Sequence, residues 1–177
     1  MFSSPQASGG GLAYAERRRY NGDQSAHAHR LVEIAVAIGG EGMHRSLAGL
    51  RQVSAGDVTL AWPGVRQEYQ QCEDLEIYHG YFPVDLLNRE LFWVRHDALL
   101  GGLLWTAPAS MRQRDFVSAR LGGPALQECV THLDGVADLR REVPATHRAA
   151  SAGRLLLLLG NVARANSGSS ADRSRAH

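Results

Sequence analysis

The sequence predicts a mainly β protein: a small β-barrel followed by two C-terminal α-helices. Three observations carry this. Turn signals ("GG" at 39 and 40, "AGL" at 48–50, "SAGD" at 54–57, "WPG" at 62–64) punctuate residues 13–83 about every 8 to 12 residues, the spacing of sandwiches and barrels rather than of parallel α/β sheets. The stretches between them alternate with period two. After "YFP" at 81–83 the apolar pattern shifts to the helical period.

Taken in order, residues 1–12 are rich in Ser and Gly and are expected to form a disordered N-terminal arm. In the stretch "AHAHRLVEIAVAIGGEG" at 26–42, strand alternation sets His27, His29, Leu31, Glu33, Ala35 and Ala37 on one face. Val32, Ile34, Val36 and Ile38 form the other. A face that is polar and then stripped to alanine reads as the lining of a cavity; the branched apolar face needs a cover of protein. In "LEIYHGYF" the same rule groups Leu75, Ile77, His79 and Tyr81, which would bring His79 inward; an exposed place for His79 at the sheet edge is the alternative.

Beyond the barrel, "VDLLNRELFW" at 84–93 suits a short helix starting near Asp85, and 94–122 reads as mixed loop and short helix. In "PALQECVTHLDGVADL" the residues Leu126, Cys129, Val130, Leu133, Val136 and Ala137 recur at helical spacing, with Pro124 at the start, where its missing N–H costs least. A second helix is expected from about Pro144 to residue 166, and residues 167–177 read as a linker-like tail. Residues 84–166 would then be a helical region packed on the barrel. Leu155 to Leu159, at about 100° per residue, put leucine on every side of the last helix. Leu155, Leu156, Leu158, Leu159 and Val162 are therefore candidates for a homodimer contact, the alternative being complete cover by residues 94–139 of the same chain.

Composition excludes several classes. The 177 residues suffice for one domain with a core, and the net charge of +1 argues against a free-standing nucleic-acid binder. All basic residues are arginine, and the run Arg17 to Arg19 reads as a solvated patch. Two distant cysteines suggest neither a zinc ribbon nor a disulfide framework, and fit a reducing cytoplasm. No signal peptide is apparent, and the longest apolar run is too short to span a membrane. No Ser-His-Asp or Cys-His arrangement and no phosphate loop is discernible, and His44, His96, His132 and His147 are scattered without a role.

The 26–42 stretch resembles the first cupin motif, with Gly22, His27, His29, Glu33 and Gly40 in its positions. "GDVTLAWPGVRQEY" resembles the second through Gly56, Asp57, Pro63 and Gly64, but Gln67 stands where a histidine is usual. More narrowly, "HAHRLVEIAVAIGGEGMH", "LRQVSAGDVTLAWPGVRQEY", "LEIYHGYFP" and the leucine-rich last helix resemble the N-terminal sensor domain of AraC-type transcriptional regulators, the arabinose- and rhamnose-responsive group in particular. The resemblance implies a cupin-like jelly-roll barrel that binds a small-molecule effector, a sugar, and a homodimer. It also implies a second domain with two helix-turn-helix units for DNA, which these residues do not show. Ligand contacts at Gln67, Tyr69, Ile77 and His79 are implied in the same way, beside His27, His29 and Glu33. On this reading the chain is a non-enzymatic sensor with no cofactor and no metal. The alternative is a metal-dependent cupin enzyme, an isomerase or dioxygenase, using His27, His29 and Glu33 as a two-histidine, one-carboxylate triad.

Overall fold

The computed structural model describes residues 12–106, 116–139 and 147–175, with the side chains of the last helix described as far as residue 168. Six strands make one antiparallel sheet: β1 (Tyr14–Gly22), β2 (Val32–Ser46), β3 (Gly49–Ser54), β4 (Asp57–Ala61), β5 (Glu68–Phe82) and β6 (Phe116–Arg120). The order is β1-β5-β2-β4-β6. The start of β2 pairs with β4, and its far end turns back through a tight hairpin to pair with β3. Two helices follow, α1 (Gly123–Leu139) and α2 (Arg148–Arg175).

The bend in the long strands has a local cause. β2 and β5 slip register three times between Ala37 and Met43, and bulges of this kind increase twist and curl the sheet. Gly40 sits at the closest approach, with φ +63°; a Cβ there would fall 2.1 Å from the Asp74 carbonyl oxygen, so only glycine fits. The curl makes a concave inner face and a convex outer one.

The two faces of β2 divide as alternation predicts. Val32, Ile34 and Val36 join Val58, Leu60, Phe82 and the helical residues in the main core, whereas Ala35 and Ala37 pack on the inner side with Val53, Tyr69, Leu75 and Ile77. The alanine face is thus a packed cluster where an open cavity lining was expected. α1 buries Cys129, Leu133 and Val136 from the predicted stripe. Trp62 packs between the main core and the cluster around Phe116. Arg17, Arg18 and Arg19 are exposed and pair with Asp134, Glu16 and Glu76.

Several expectations need correcting. The jelly-roll barrel does not close: among the described residues β1 pairs only with β5 and β6 only with β4. Alternation tells which way a side chain points but says nothing about which edges meet, and here the helices cover the outer face of an open, curled sheet. The stretch 94–122 contains β6, which completes the sheet beside β4. The segment from 84 is a series of short helical turns, Leu86–Glu90, Phe92–His96, Ala98–Gly101 and Gly102–Thr106. Asp85 makes no side-chain cap there; Asp97 does, accepting from the backbone N–H groups of Leu99 and Leu100. α2 continues to Arg175, through most of the stretch read as a linker-like tail. Of the arm read at 1–12, residues 1–11 lie outside the described residues, as does the helix start at Pro144, while Leu12 is buried in the main core.

The leucine run of α2 is likewise resolved by packing. Leu155, Leu158, Leu159 and Val162 are buried within the chain, in the same core as Val32, Ile34 and Val36, and Leu156 is partly buried against it. With Ala163 they follow the i, i+3, i+4, i+7, i+8 stripe of an ordinary one-faced helix. Only Leu157 points outward, 58 % exposed. The candidates for a dimer contact thus pack into the chain's own core, between its sheet and its other helices.

Candidate functional site

The concave face gathers most of the polar residues singled out in the sequence. Glu33, one turn of pleat after Val32 on β2, is only 1 % exposed and is the hub. Its Oε1 accepts from His79 Nδ1 on β5 at 2.6 Å, and its Oε2 accepts from the Gln67 amide. His29 Nε2 lies 3.5 Å from Oε2. His79 Nε2 meets the Tyr20 hydroxyl of β1 at 3.0 Å. On the other side of the hub Gln67 Oε1 meets His44 Nε2 at 3.1 Å. Donor logic orders the chain: a carboxylate can only accept, so His79 Nδ1 carries a proton. The Gln67 amide nitrogen donates to Glu33, which leaves Oε1 to accept from His44 Nε2–H. Tyr20, His79, Glu33, Gln67 and His44 form one relay spanning β1, β5 and β2.

The electrostatics follow from burial and pairing. Burial alone would raise the Glu33 carboxyl, but the hydrogen bond from His79 and the nearby His79, His29 and His27 outweigh it and hold the group down at about 2. His44 goes the opposite way from an ordinary histidine: burial, and then the charge of Arg51, push it down to about 4. Burial also raises the Tyr20 hydroxyl to about 12 and lifts those of Tyr69 and Tyr81, so all three stay protonated at neutral pH.

A pH effect on stability follows. His44 takes up a proton near 6.5 when unfolded but only near 4 when folded. Between those values the unfolded chain binds more protons, so acidification destabilises the fold. Glu33 extends the trend, its stabilisation being lost from about 4.5 down to about 2. Urea unfolding is expected to show the wild type losing about 1.5 kcal/mol between pH 6.5 and 5 through His44. His44→Gln, which keeps a donor for Gln67 without the titration, should lose distinctly less. An unchanged slope in that variant would place the titration elsewhere.

The predicted residues do not all converge. Gln67, Tyr69, Ile77 and His79 are inward and at most 2 % exposed. His29 reaches the hub from outside β2, because bends at Arg30 and Leu31 interrupt the strand read from residue 27. His27 stays at the rim, in an isolated bridge with Gln67, its Nδ1 3.1 Å from the Ser25 carbonyl oxygen. Tyr69 is stacked against Tyr20 and tilted against the His44 ring, so its faces are already engaged.

Sequence reasoning missed three participants. His44 is fully buried in the relay. Tyr20 falls on the inner face of β1 by the alternation that also brings Tyr14 against Tyr81. Arg51, opposite His44 on β3, lies over the Phe116 ring at 5.2 Å. Period-two counting from Val53 points to Arg51; His44 lies beyond the bulges, where counting from Glu33 fails.

The cupin resemblance raises a metal at His27, His29 and Glu33, with Gln67 in the fourth position. The residues do not fit one. His27 faces a backbone carbonyl, both oxygens of Glu33 accept from neighbours, and no group of three His, Cys, Asp or Glu among the described residues is disposed to hold an ion. Cys72 and Cys129 are both buried and free. Among the described residues no helix is long and apolar enough to cross a membrane.

Solved structures share the fold. ToxT from Vibrio cholerae, bound to (E)-4-(8-methylnaphthalen-1-yl)but-3-enoic acid, superposes with a TM-score of 0.54 at 8 % identity, over 88 % of this chain and 58 % of that one. The apo form of a ToxT variant gives 0.57 at 9 % identity, over 86 % and 55 %. The likeness is one of fold, and it takes in the helices as well as the sheet. The chain spans a little over half the length of ToxT. A cupin 2 conserved barrel domain protein from Salinispora arenicola is similar over 52 % of this chain and 79 % of its own, with 23 % identity and a TM-score of 0.39. Neither a protein-family model nor a curated protein matches the chain.

Proposed function

We propose that the chain is the effector-binding domain of a cytoplasmic transcriptional regulator of the AraC type, non-catalytic, which passes the state of a small-molecule site to a DNA-binding domain of helix-turn-helix units. One observation carries the reading. The fold shared with ToxT, an AraC-family regulator, runs through the curled sheet and on through both helices, and the sheet's concave face holds a buried polar relay walled by aromatic rings. Such a relay is suited to recognition: each group is oriented by the next, so a ligand that engages one end disturbs the whole. Glu33 is locked by two donors and aims at no open space, so it is a support for the site rather than an acid or base. A sugar is the effector class that the resemblance to the arabinose- and rhamnose-responsive group implies, and a homodimer is the assembly it implies.

The test is a thermal-shift screen of the purified chain against pentoses, deoxyhexoses and small organic acids, with the products of each incubation analysed. A raised melting temperature with an unaltered compound is expected. Turnover of any compound by the chain, or one equivalent of tightly held transition metal by elemental analysis, would sink the sensor reading in favour of a cupin enzyme.

A further inference from the structure

Antiparallel pairing sets Arg51 of β3 directly across from His44 of β2, on the inner side with Val53. The guanidinium lies over the Phe116 ring, 5.2 Å from its centroid. Its Nε and Nη2 are sealed from solvent and have no hydrogen-bond partner among the described residues. These two N–H groups are one edge of the guanidinium fork, the edge that grips a carboxylate through two parallel bonds. His44 Nδ1 is sealed and unpartnered in the same way. Because Nε2–H is committed to Gln67, Nδ1 of the neutral ring carries a bare lone pair and can only accept. Two donors and one acceptor are therefore left unmet on adjacent strands, beside Phe116 and Tyr69, whose rings both contact that of His44. Sealed N–H groups of a guanidinium with nothing to bond among the described residues are costly to keep.

We propose that Arg51 and His44 are the polar anchor of the effector site and that the effector is a small carboxylic acid with an apolar or aromatic body and a hydroxyl group beside the carboxylate. This rests on the sensor reading above and names its ligand class. The carboxylate accepts from Nε–H and Nη2–H of Arg51, the neighbouring hydroxyl donates to His44 Nδ1, and the body lies against Phe116 and Val53. A neutral sugar satisfies the hydroxyl acceptor but leaves the guanidinium without its counter-charge. Because the anchor atoms are covered in the ligand-free fold, entry of the acid must displace side chains around Phe116, at the start of the strand that leads into α1. His44 joins that displacement to the Glu33 relay.

The experiment is a thermal-shift and calorimetric titration of the chain with 2-hydroxybenzoate, benzoate, the neutral 2-hydroxybenzamide and L-arabinose, on wild type, Arg51→Gln and Arg51→Lys. Expected is a rise in melting temperature on the order of 5 °C with 2-hydroxybenzoate at a hundredfold excess over its dissociation constant. Benzoate should give a smaller rise, and the amide none. The rise should vanish in Arg51→Gln and shrink in Arg51→Lys, which keeps the charge but not the fork. Ligand-free Arg51→Gln should melt within a few degrees of wild type, since it gives up the contact over the Phe116 ring but no hydrogen bond from Nε or Nη2. Absence of a shift with both carboxylates, an equal shift in Arg51→Gln, or a clearly lower melting temperature of that variant without ligand overturns the proposal. A shift with L-arabinose but with neither carboxylate overturns the ligand class and leaves the sensor reading standing.

Discussion

Leu158→Glu is expected to unfold the domain rather than to release a folded monomer. Leu158 is 1 % exposed in a core shared with Val32, Ile34 and Val36 of β2 and with Leu133 of α1. A glutamate there would bring a carboxylate into an apolar layer with no partner, and would also lose the leucine's own burial. Together these cost about 4–5 kcal/mol or more, against a total stability of about 5–15 kcal/mol for a domain of this kind. Leu159→Glu should behave alike. Leu157→Glu, at the exposed position of the same run, should change stability by about 0.5 kcal/mol or less. Circular-dichroism melts paired with analytical ultracentrifugation separate the cases. A folded, monomeric Leu158→Glu protein would mean that this face of α2 meets a second copy instead of the sheet. If the chain does dimerise, the contact must use surface such as Leu157, and Leu157→Glu would then weaken the dimer without disturbing the melt.

Glu33→Ala is expected to cost about 3–5 kcal/mol, far more than its few atoms would suggest. The loss comes from what remains: His79 Nδ1–H and the Gln67 amide would be left as buried donors with no acceptor, and the His44 bond to Gln67 would lose its orientation. Glu33→Gln should fall between wild type and alanine, since one side-chain oxygen survives while the new amide confronts the donor of Gln67. Urea midpoints at pH 7 measure both. A loss below about 1 kcal/mol for Glu33→Ala would show that the carboxylate is not the hub of the relay.

The division of β2 into a core-facing and an inward face was legible from alternation alone, because a regular strand points successive side chains to opposite sides whatever surrounds it. The same held for Ile77 on β5 and for the stripe of α1, whereas alternation left His79 open between the inner face and the sheet edge until the structure buried it. Legibility stopped where the chain ceased to be regular. The bends at Arg30 and Leu31 took His27 out of the expected face, and the three register slips between Ala37 and Met43 carried His44 back into it. Counting by two cannot cross a bulge, since each extra residue exchanges the faces.

By its own residues the sequence determined which side of β2 is apolar, and which residues of α1 form its buried stripe. Only the tertiary structure decided the rest. It set β6 beside β4 and left the sheet open. It spent four leucine- and valine-bearing positions of α2 on the core, and it brought Arg51 and His44 together across β2 and β3 with unmet hydrogen-bonding groups. The physical reason is one of range. Alternation and helical period are properties of neighbours in the chain, whereas burial, pKa and the pairing of charges depend on partners brought close by folding, and these no local pattern records.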